Sequence, residues 1–279
     1  MKIKNLGVMQ GRLSPQIGKK IQYFPWKTWK KEFLLAKKLK LKSIEWTLDY
    51  HRLAKNPFLT KEGQQQITNI KKKYKIKCNS VTADCFMQKP FWKLKKNKKI
   101  LTLFELVIKS CFELNVKILI LPLVDNGSLE NKLHETKFIS LMNSYSNFIK
   151  KNKLKIAFES DYPPNKLKTF ISKFDKSIFG INYDLGNSSH FGYDLRKEFE
   201  YYSDRIINVH IKDRLFKSHT VRLGKGNADF QIFFKLLDRM NYKKNLILQV
   251  ARSKKKKNFF IEILKNISFL ESVKKKLYE

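Results

Sequence analysis

The sequence predicts a single (β/α)8 barrel, the TIM barrel, that extends over residues 1–279. Eight short, mostly apolar segments alternate with longer segments of helical periodicity, and strands buried on both faces have this composition. Repeated β–α units build a parallel sheet, and eight units are the number that closes such a sheet into a barrel. Barrels of about 250 residues commonly form one domain, and no linker rich in Pro, Gly or Ser interrupts this chain.

The predicted strands and helices follow one another in a regular order. The strands cover residues 5–10, 43–47, 78–83, 117–123, 155–159, 180–184, 206–211 and 245–250. Amphipathic helices are predicted over 29–39, 100–114, 138–149, 167–174, 230–240 and 259–277. Thr60, the pair Pro163-Pro164 and Asp229 are typical of helix starts. An open doubly wound sheet is the alternative, but the first turn, at residues 10–15, lacks the GxGxxG pattern of that fold.

The chain is strongly basic, with 59 Lys and Arg, 24 Asp and Glu, and a net charge of +35. Such an excess is often found in proteins that bind nucleic acid or anionic membranes. Only eight of these residues are Arg, however, and the Lys residues are spread over all the helical segments. We therefore expect a solvated, Lys-rich surface and no nucleic-acid partner.

The cysteines and the apolar segments indicate a cytoplasmic protein. Cys78, Cys85 and Cys111 form no CxxC pair and are odd in number, as expected of reduced thiols. The first residues lack the features of a signal peptide, and the most apolar stretch, 118–124, is too short to span a bilayer. We expect no membrane partner.

Four consecutive predicted strands end in side chains that can bind a metal ion. The fifth strand ends in Glu159, the sixth in Asp184 and the eighth in Gln249, while the seventh carries His210. In barrels of this type the functional residues lie at the C-terminal ends of the strands. Mixed oxygen and nitrogen ligands suit one divalent cation, which we expect to be Mn²⁺, Mg²⁺, Co²⁺ or Zn²⁺.

Around these residues the sequence resembles the xylose isomerase-like barrel superfamily, also represented by the AP endonuclease family 2 type of barrel. The superfamily includes sugar-phosphate isomerases, ketose 3-epimerases and the endonuclease IV group. The resemblance is strongest in GVMQGRLSP (7–15), AFES (157–160), YDLGNSSHFGYD (183–194), VHIKDR (209–214) and LGKGNADF (223–230). It implies that Glu159, Asp184, His210 and Gln249 are the metal ligands and that the protein is a sugar phosphate isomerase or epimerase.

The sequence departs from the family pattern at two positions. Asn187 stands where many relatives have a His, and Gln249 stands where the epimerases have a Glu. An amide oxygen can still bind a metal ion, but it cannot accept a proton as a carboxylate does. The endonuclease IV group needs several more His ligands, and this chain has only five His in total.

These residues suggest a reaction through an enediolate. A metal ion stabilises the charge that develops when a proton leaves a carbon next to a carbonyl, and a carboxylate removes that proton. Glu159 is the predicted base as well as a ligand. Since Gln249 cannot be a second base, a one-face isomerisation fits better than a two-base epimerisation, and Lys212 or Asp213 remains open as the second acid/base group.

Further polar residues at or beyond strand ends are candidates for substrate binding. They are Arg12, Glu45, Asp84, Asp125, Asn187, His190, Arg214, Arg222, Lys225 and Arg252. The segment Gly224-Lys225-Gly226 lies where barrels often hold a phosphate on backbone N–H groups, although an ordinary glycine turn has the same sequence. The sequence leaves open whether the sugar is phosphorylated.

The leading hypothesis is therefore a metal-dependent sugar isomerase or epimerase with a small-molecule carbohydrate substrate. One alternative is a metal-dependent hydrolase similar to the endonuclease IV nucleases, for which the positive charge would favour nucleic acid. Another is a sugar-binding barrel that has lost catalysis, because Gln249 replaces a carboxylate. The sequence does not decide whether the chain forms a homo-oligomer.

Overall fold

The computed structural model describes residues 3–18, 21–95, 97–252 and 258–279. Eight parallel strands form a closed barrel in the order β1-β10-β7-β6-β5-β4-β3-β2. The strands are β1 (Leu6–Met9), β2 (Ser43–Thr47), β3 (Ser80–Thr82), β4 (Ile118–Leu123), β5 (Lys155–Ser160), β6 (Phe179–Asp184), β7 (Ile206–Ile211) and β10 (Leu246–Leu248). Two short antiparallel strands, β8 (Asp213–Arg214) and β9 (Thr220–Val221), lie in the loop after β7. The predicted fold is confirmed.

Helices surround the barrel. They are α1 (Trp29–Lys38), α2 (Lys61–Tyr74), α3 (Asp84–Gln88), α4 (Lys98–Glu113), α5 (Lys132–Ser144), α6 (Ser146–Lys151), α7 (Pro164–Ile171), α8 (Leu185–Phe191), α9 (Leu195–Tyr202), α10 (Phe230–Arg239) and α11 (Phe259–Lys276). Among the described residues, no helix combines the length and hydrophobicity that a membrane crossing requires. The main apolar core fills the space between the helices and the outward faces of the strands, with Trp46 and Phe158 among its fully buried side chains.

Local sequence accounts for most of the element boundaries. The Thr60 and Asp229 side chains accept hydrogen bonds from backbone N–H groups of the first turns of α2 and α10, as predicted. The helix predicted over 138–149 is wrong in extent, because α5 begins six residues earlier and ends at Ser144, and a separate helix, α6, follows from Ser146. The short helix α8 was not predicted, and it begins because Asp184 at the end of β6 also caps its first turn.

The strand register brings the predicted ligands to the same end of the barrel. Asp184 is the register partner of His210, and Glu159 lies opposite Pro122 at the end of β4. The backbone N–H of Gln249 donates to the Ile211 carbonyl, which places Gln249 just beyond the end of β10. Because all eight strands are parallel, their C-terminal ends form one mouth, and this mouth holds the candidate site.

Candidate active site

A buried carboxylate, Glu45, lies at the centre of a polar network inside the barrel. It accepts hydrogen bonds from Ser80 Oγ at 2.7 Å and from Thr82 Oγ1 at 2.8 Å. Asn208 Nδ2 donates to it at 3.0 Å, and His210 Nε2 lies 2.6 Å from its Oε1. Burial raises the pKa of Glu45, but the charge of His210 and these hydrogen bonds outweigh burial, so the pKa lies below its ordinary value. Glu45 is therefore ionised and holds the His210 ring from below.

The His210 ring connects Glu45 to the mouth of the barrel. With Nε2 held by Glu45, its Nδ1 lies 3.1 Å from Glu159 Oε2 and 4.0 Å from Asp184 Oδ2. Burial lowers the pKa of His210, but the negative charges of Glu45 and Glu159 raise it to about 10. A carboxylate behind an imidazole fixes the orientation of the ring, which is the arrangement that orients metal-bound histidines.

Glu159 and Asp184 face the same point from neighbouring strands. Glu159 accepts hydrogen bonds from Asn182 Nδ2 at 2.8 Å and from Asn187 Nδ2 at 3.0 Å. Burial opposes ionisation of Glu159, but His210 and the amide donors keep its pKa below the ordinary value. The pKa of Asp184 is raised, because burial and the charge of Glu159 outweigh its ion pair with Lys212. One ligand atom from each of Glu159, Asp184 and His210 lies within 4.8 Å of the others.

Gln249 joins this cluster through Lys212. The Lys212 ammonium lies 2.7 Å from Asp184 Oδ2 and donates a hydrogen bond to Gln249 Oε1 at 3.1 Å. The aliphatic part of Lys212 packs on Gly186, where a Cβ atom would come within 2.7 Å of it. The Lys212 ammonium thus bridges two of the four predicted ligands, and the absence of a side chain at Gly186 makes room for this conformation.

A cavity of about 490 Å³ opens above the cluster at the barrel mouth. Nine of the predicted site residues line it: Arg12, Asp84, Asp125, Glu159, Asn187, His190, Lys212, Arg214 and Gln249. Glu45 and His210 are fully buried. Asp184 lines a small pocket that shares Glu159 and Asn187 with the cavity. Nine predicted residues therefore lie on the surface of the cavity. Glu45 and His210 lie beneath that surface and support the residues on it.

Asp84 is a cavity residue with spare hydrogen-bonding capacity. It is 6% exposed, and among the described residues its Oδ2 has no hydrogen-bond partner. Burial, together with the charges of Asp49 and Glu159, raises its pKa well above the ordinary value. The raised pKa favours the protonated form of this carboxyl group, which can donate a hydrogen bond to a ligand oxygen.

Arg214 connects the other side of the cavity to the cluster. Its Nη1 donates to Asn187 Oδ1 at 3.1 Å, and Asn187 in turn donates to Glu159. Its Nε and Nη2 both donate to the Ser218 carbonyl, which also lies 3.1 Å from His190 Nδ1. Burial and the charge of Arg214 lower the pKa of His190, so a neutral imidazole is favoured at this wall.

The structure does not bring Asp213 or the glycine loop to the cavity. The Asp213 carboxylate is fully buried and accepts hydrogen bonds from the backbone N–H groups of Gly224, Gly226 and Ala228, at 2.9–3.1 Å. The N–H groups expected to hold a phosphate are therefore already bound to Asp213. Lys225 is exposed and does not line the cavity. This geometry contradicts both the use of Asp213 as an acid/base group and the phosphate cradle.

The remaining predicted arginines bind the protein itself. Arg222 pairs with Glu262 outside the cavity. Arg252 donates to the carbonyls of Gly11 and Ile21, so it supports the loop after β1 instead of contacting substrate. Arg12 does line the cavity, but its guanidinium donates to Val250 O, Ile21 O and Gln22 Oε1, and burial with the charge of Arg252 lowers its pKa to about 9.

Sequence reasoning missed two buried amides that shape the cluster. Asn182 donates to Glu159 and lies 3.0 Å from His210 Nδ1 through the same Nδ2 atom, and Asn208 donates to both Asn182 and Glu45. Each stands two residues before a predicted ligand on the same strand. The period of two along a strand was the available signal, because residues i and i+2 face the same side.

The comparisons with known proteins agree with this architecture. The family described as xylose isomerase-like TIM barrel matches residues 33–268. The chain belongs to this family. A comparison with curated proteins gives no match.

Solved structures with similar folds cover nearly the whole chain. A xylose isomerase domain protein from Planctomyces limnophilus has a TM-score of 0.74 and 13% identity, with 98% of each chain covered. D-allulose 3-epimerase from Methylomonas sp. has a TM-score of 0.73 and 13% identity, covering 98% of this chain and 100% of that one. The IolI protein with a bound zinc atom has a TM-score of 0.71 and 14% identity, with 98% of each chain covered. At such identities these structures establish the shared barrel fold.

Proposed function

We propose that this barrel is a divalent-cation-dependent sugar isomerase or epimerase. The observation that carries the proposal is the convergence of Glu159, Asp184 and His210 ligand atoms within 4.8 Å of one another at a polar cavity. Membership of the xylose isomerase-like family supports it. So does the similarity to D-allulose 3-epimerase and to a zinc-containing barrel, although their activity and metal are properties of those proteins.

The donor set fits a divalent cation. Two carboxylates and one imidazole are common ligands of Zn²⁺ and Mn²⁺, and Glu45 supplies the supporting carboxylate behind His210. Gln249 Oε1 is the fourth ligand atom that we assign to the site. A cation bound there would stabilise negative charge on neighbouring substrate oxygens.

Within this site we assign the proton transfer to Glu159. Its pKa lies below the ordinary value, so the carboxylate is ready to accept the proton from a carbon next to the substrate carbonyl. Asn182 and Asn187 hold its two oxygens and fix the direction from which it approaches the substrate. Asp84, whose carboxyl group stays protonated, donates a hydrogen bond to a substrate oxygen.

The choice between isomerisation and epimerisation depends on the second proton-transfer group. Gln249 cannot accept a proton, and Asp213 is bound to its own loop. Lys212 lines the cavity and reaches the cluster, so it is the group that an epimerisation would use as its second acid. A one-face isomerisation needs Glu159 alone, and we propose it as the primary reaction.

The nuclease alternative receives no support from the described residues. The group of possible metal ligands contains one His, His210, whereas the resemblance to endonuclease IV would require several. His190 also lines the cavity, but its Nδ1 contacts the Ser218 carbonyl. The backbone N–H groups that were expected to hold a phosphate are bound to Asp213, so an unphosphorylated sugar fits the polar cavity better than a phosphorylated one.

Deuterium exchange tests the proposal without knowledge of the product. The protein, saturated with Mn²⁺ or Zn²⁺ in D2O, is incubated with a panel of aldoses and ketoses, and deuterium next to the carbonyl is measured by NMR. We expect exchange with wild type and its loss in Glu159→Gln at saturating metal. Exchange at the wild-type rate in Glu159→Gln would remove this residue as the base. No exchange with any sugar, despite cation binding, would favour a barrel that binds without catalysis.

A further inference from the structure

A second cavity of about 550 Å³ lies beside the first at the barrel mouth. Its lining residues come from the loops after β1, β2 and β3: Ile17, Gln22, Tyr23, Phe24, Trp26, Asp49, His51 and Gln88. Ligand sites in proteins commonly measure roughly 300–1,000 Å³, so each of the two cavities is large enough for a ligand by itself. The two together exceed what one small sugar requires.

The two cavities adjoin each other. Gln22 and Gln88 line both of them. Gln22 lies in the loop after β1, and Gln88 is the last residue of α3. A ligand that occupies both cavities would pass these two amides.

The polar groups of Gln22 are already bound within the protein. Its Oε1 accepts from Arg12 Nη1 at 2.7 Å, and its Nε2 donates to Thr47 Oγ1 at 2.7 Å. The amide is therefore held in place as a wall, and its strongest hydrogen bonds are directed away from a ligand.

Gln88 and Asp49 bind each other and the backbone. Gln88 Oε1 accepts from the Tyr50 N–H at 2.8 Å, and its Nε2 donates to Asp49 Oδ1 at 3.3 Å. The other Asp49 oxygen accepts from the Phe24 N–H. Little hydrogen-bonding capacity therefore remains here for the hydroxyl groups of a second sugar. Hydroxyl groups that lose water and gain no new partner weaken binding, so a second sugar is a poor ligand for this cavity.

Apart from His51, the rest of the lining is apolar or aromatic. Phe24 and Trp26 meet edge to face with ring centroids 4.9 Å apart, and the Arg52 guanidinium lies 4.4 Å from the Trp26 centroid. The Arg252 guanidinium likewise lies 4.5 Å from the centroid of the Tyr23 ring. These contacts fix the rings, and Ile17, whose side chain is 58% exposed, stands at the edge of the cavity.

We infer that the substrate is an amphiphilic sugar derivative, with its sugar in the first cavity and an apolar aryl or alkyl substituent in the second. The inference rests on the proposed function and names the substrate class of that site. The difference in polarity supports it, because Glu159, Asp84 and Lys212 line the first cavity, whereas the lining of the second is mostly aromatic or already hydrogen-bonded within the protein. Burial of an apolar substituent among these rings supplies affinity that a bare sugar lacks.

Binding of paired glycosides tests the inference. Phenyl and methyl β-D-glucopyranoside, and the corresponding galactosides and xylosides, are titrated by calorimetry into the metal-loaded protein. They serve as non-reacting binding probes, because a glycoside cannot open to the carbonyl form that the proposed reaction uses. Saturation-transfer NMR identifies which ligand protons touch it. We expect each phenyl glycoside that binds to do so at least about tenfold more tightly than its methyl partner. Saturation transfer is expected to be strongest on the phenyl protons.

A matched pair of variants locates the effect. Ile17→Asp places a charge at the edge of the second cavity and is expected to abolish the phenyl preference while methyl glycosides bind as before. Ile261→Asp makes the same change at a position 49% exposed on α11 and is expected to leave both affinities unchanged.

Three results would overturn the inference: equal binding of phenyl and methyl glycosides, a phenyl preference that survives Ile17→Asp, or a disaccharide that binds as tightly as the phenyl glycosides. Lack of binding by every glycoside counts against it as well. The proposed function fails on separate evidence, since it requires cation binding and deuterium exchange, and neither depends on the second cavity.

Discussion

Replacement of Lys212 by Met should increase the affinity of the site for a divalent cation. The Lys212 ammonium contacts Asp184 Oδ2 and Gln249 Oε1, two of the four ligand atoms that we assign to the cation. Both charged side chains are nearly buried, with 12% and 1% of their surface exposed, so the ion pair is weakly screened. A cation can use these oxygens only after Lys212 has moved away.

The size of the effect follows from the geometry. Two unit charges 2.7 Å apart attract each other by about 6 kcal/mol at an effective dielectric constant of about 20. Hydration of the displaced ammonium offsets much of this attraction. We expect a net gain of about 1.4–2.8 kcal/mol, or about 10–100-fold in dissociation constant. Met keeps the aliphatic packing on Gly186, so the fold should be retained.

Calorimetric titration of the metal-free protein with Zn²⁺ and Mn²⁺ at one pH measures the effect. Lys225→Met is the matched control, because it removes the same charge from an exposed position outside the cavity. The metal-free Lys212→Met protein should also melt at a lower temperature, since Asp184 loses its partner, and addition of metal should raise its melting temperature more than in wild type. Unchanged or weaker affinity in Lys212→Met, with normal circular dichroism, would refute the competition between Lys212 and the cation.

Three further predictions concern the groups that support the site. Glu45→Gln removes the carboxylate behind His210 and should weaken cation binding by about 10–100-fold in the same titration; an unchanged affinity would show that the ring is oriented without it. Asp213→Ala leaves three backbone N–H groups without their acceptor and should lower the free energy of unfolding in urea by about 2–4 kcal/mol, whereas a change below about 0.5 kcal/mol would contradict the contacts described. Glu32 on α1 accepts hydrogen bonds from the backbone N–H groups of Gly11 and Leu13 and from Ser14 Oγ, in the loop after β1. Burial raises the pKa of Glu32 from 4.5 to about 7, so the fold is favoured while this acid is protonated, and its contribution to stability should fall by about 3 kcal/mol as pH rises from about 4.5 to 7. In urea titrations across this range the fall in stability should be smaller in Glu32→Gln than in wild type by this amount; identical slopes would exclude Glu32 as a source.

The sequence by itself determined the barrel and predicted which end of it carries the candidate ligands. The eight apolar segments carry the strand signal locally, and each strand was predicted to within two residues at either end. Since parallel strands place their C-terminal ends together, Glu159, Asp184 and His210 could be assigned to one mouth before any contact was known. Whether these residues bind a metal ion stays a prediction.

Only the tertiary structure decided which polar side chains face the cavity and which support it. Glu45 and His210 are 165 residues apart, and their contact depends on barrel closure, which no local pattern encodes. Asp213 and Lys212 are adjacent in sequence, yet one turns into its own loop and the other reaches the cluster. Side-chain direction beyond a strand end depends on the path of the loop and on partners from distant segments. The sequence therefore predicts which residue types lie at the mouth, whereas their contacts arise only from the closed barrel.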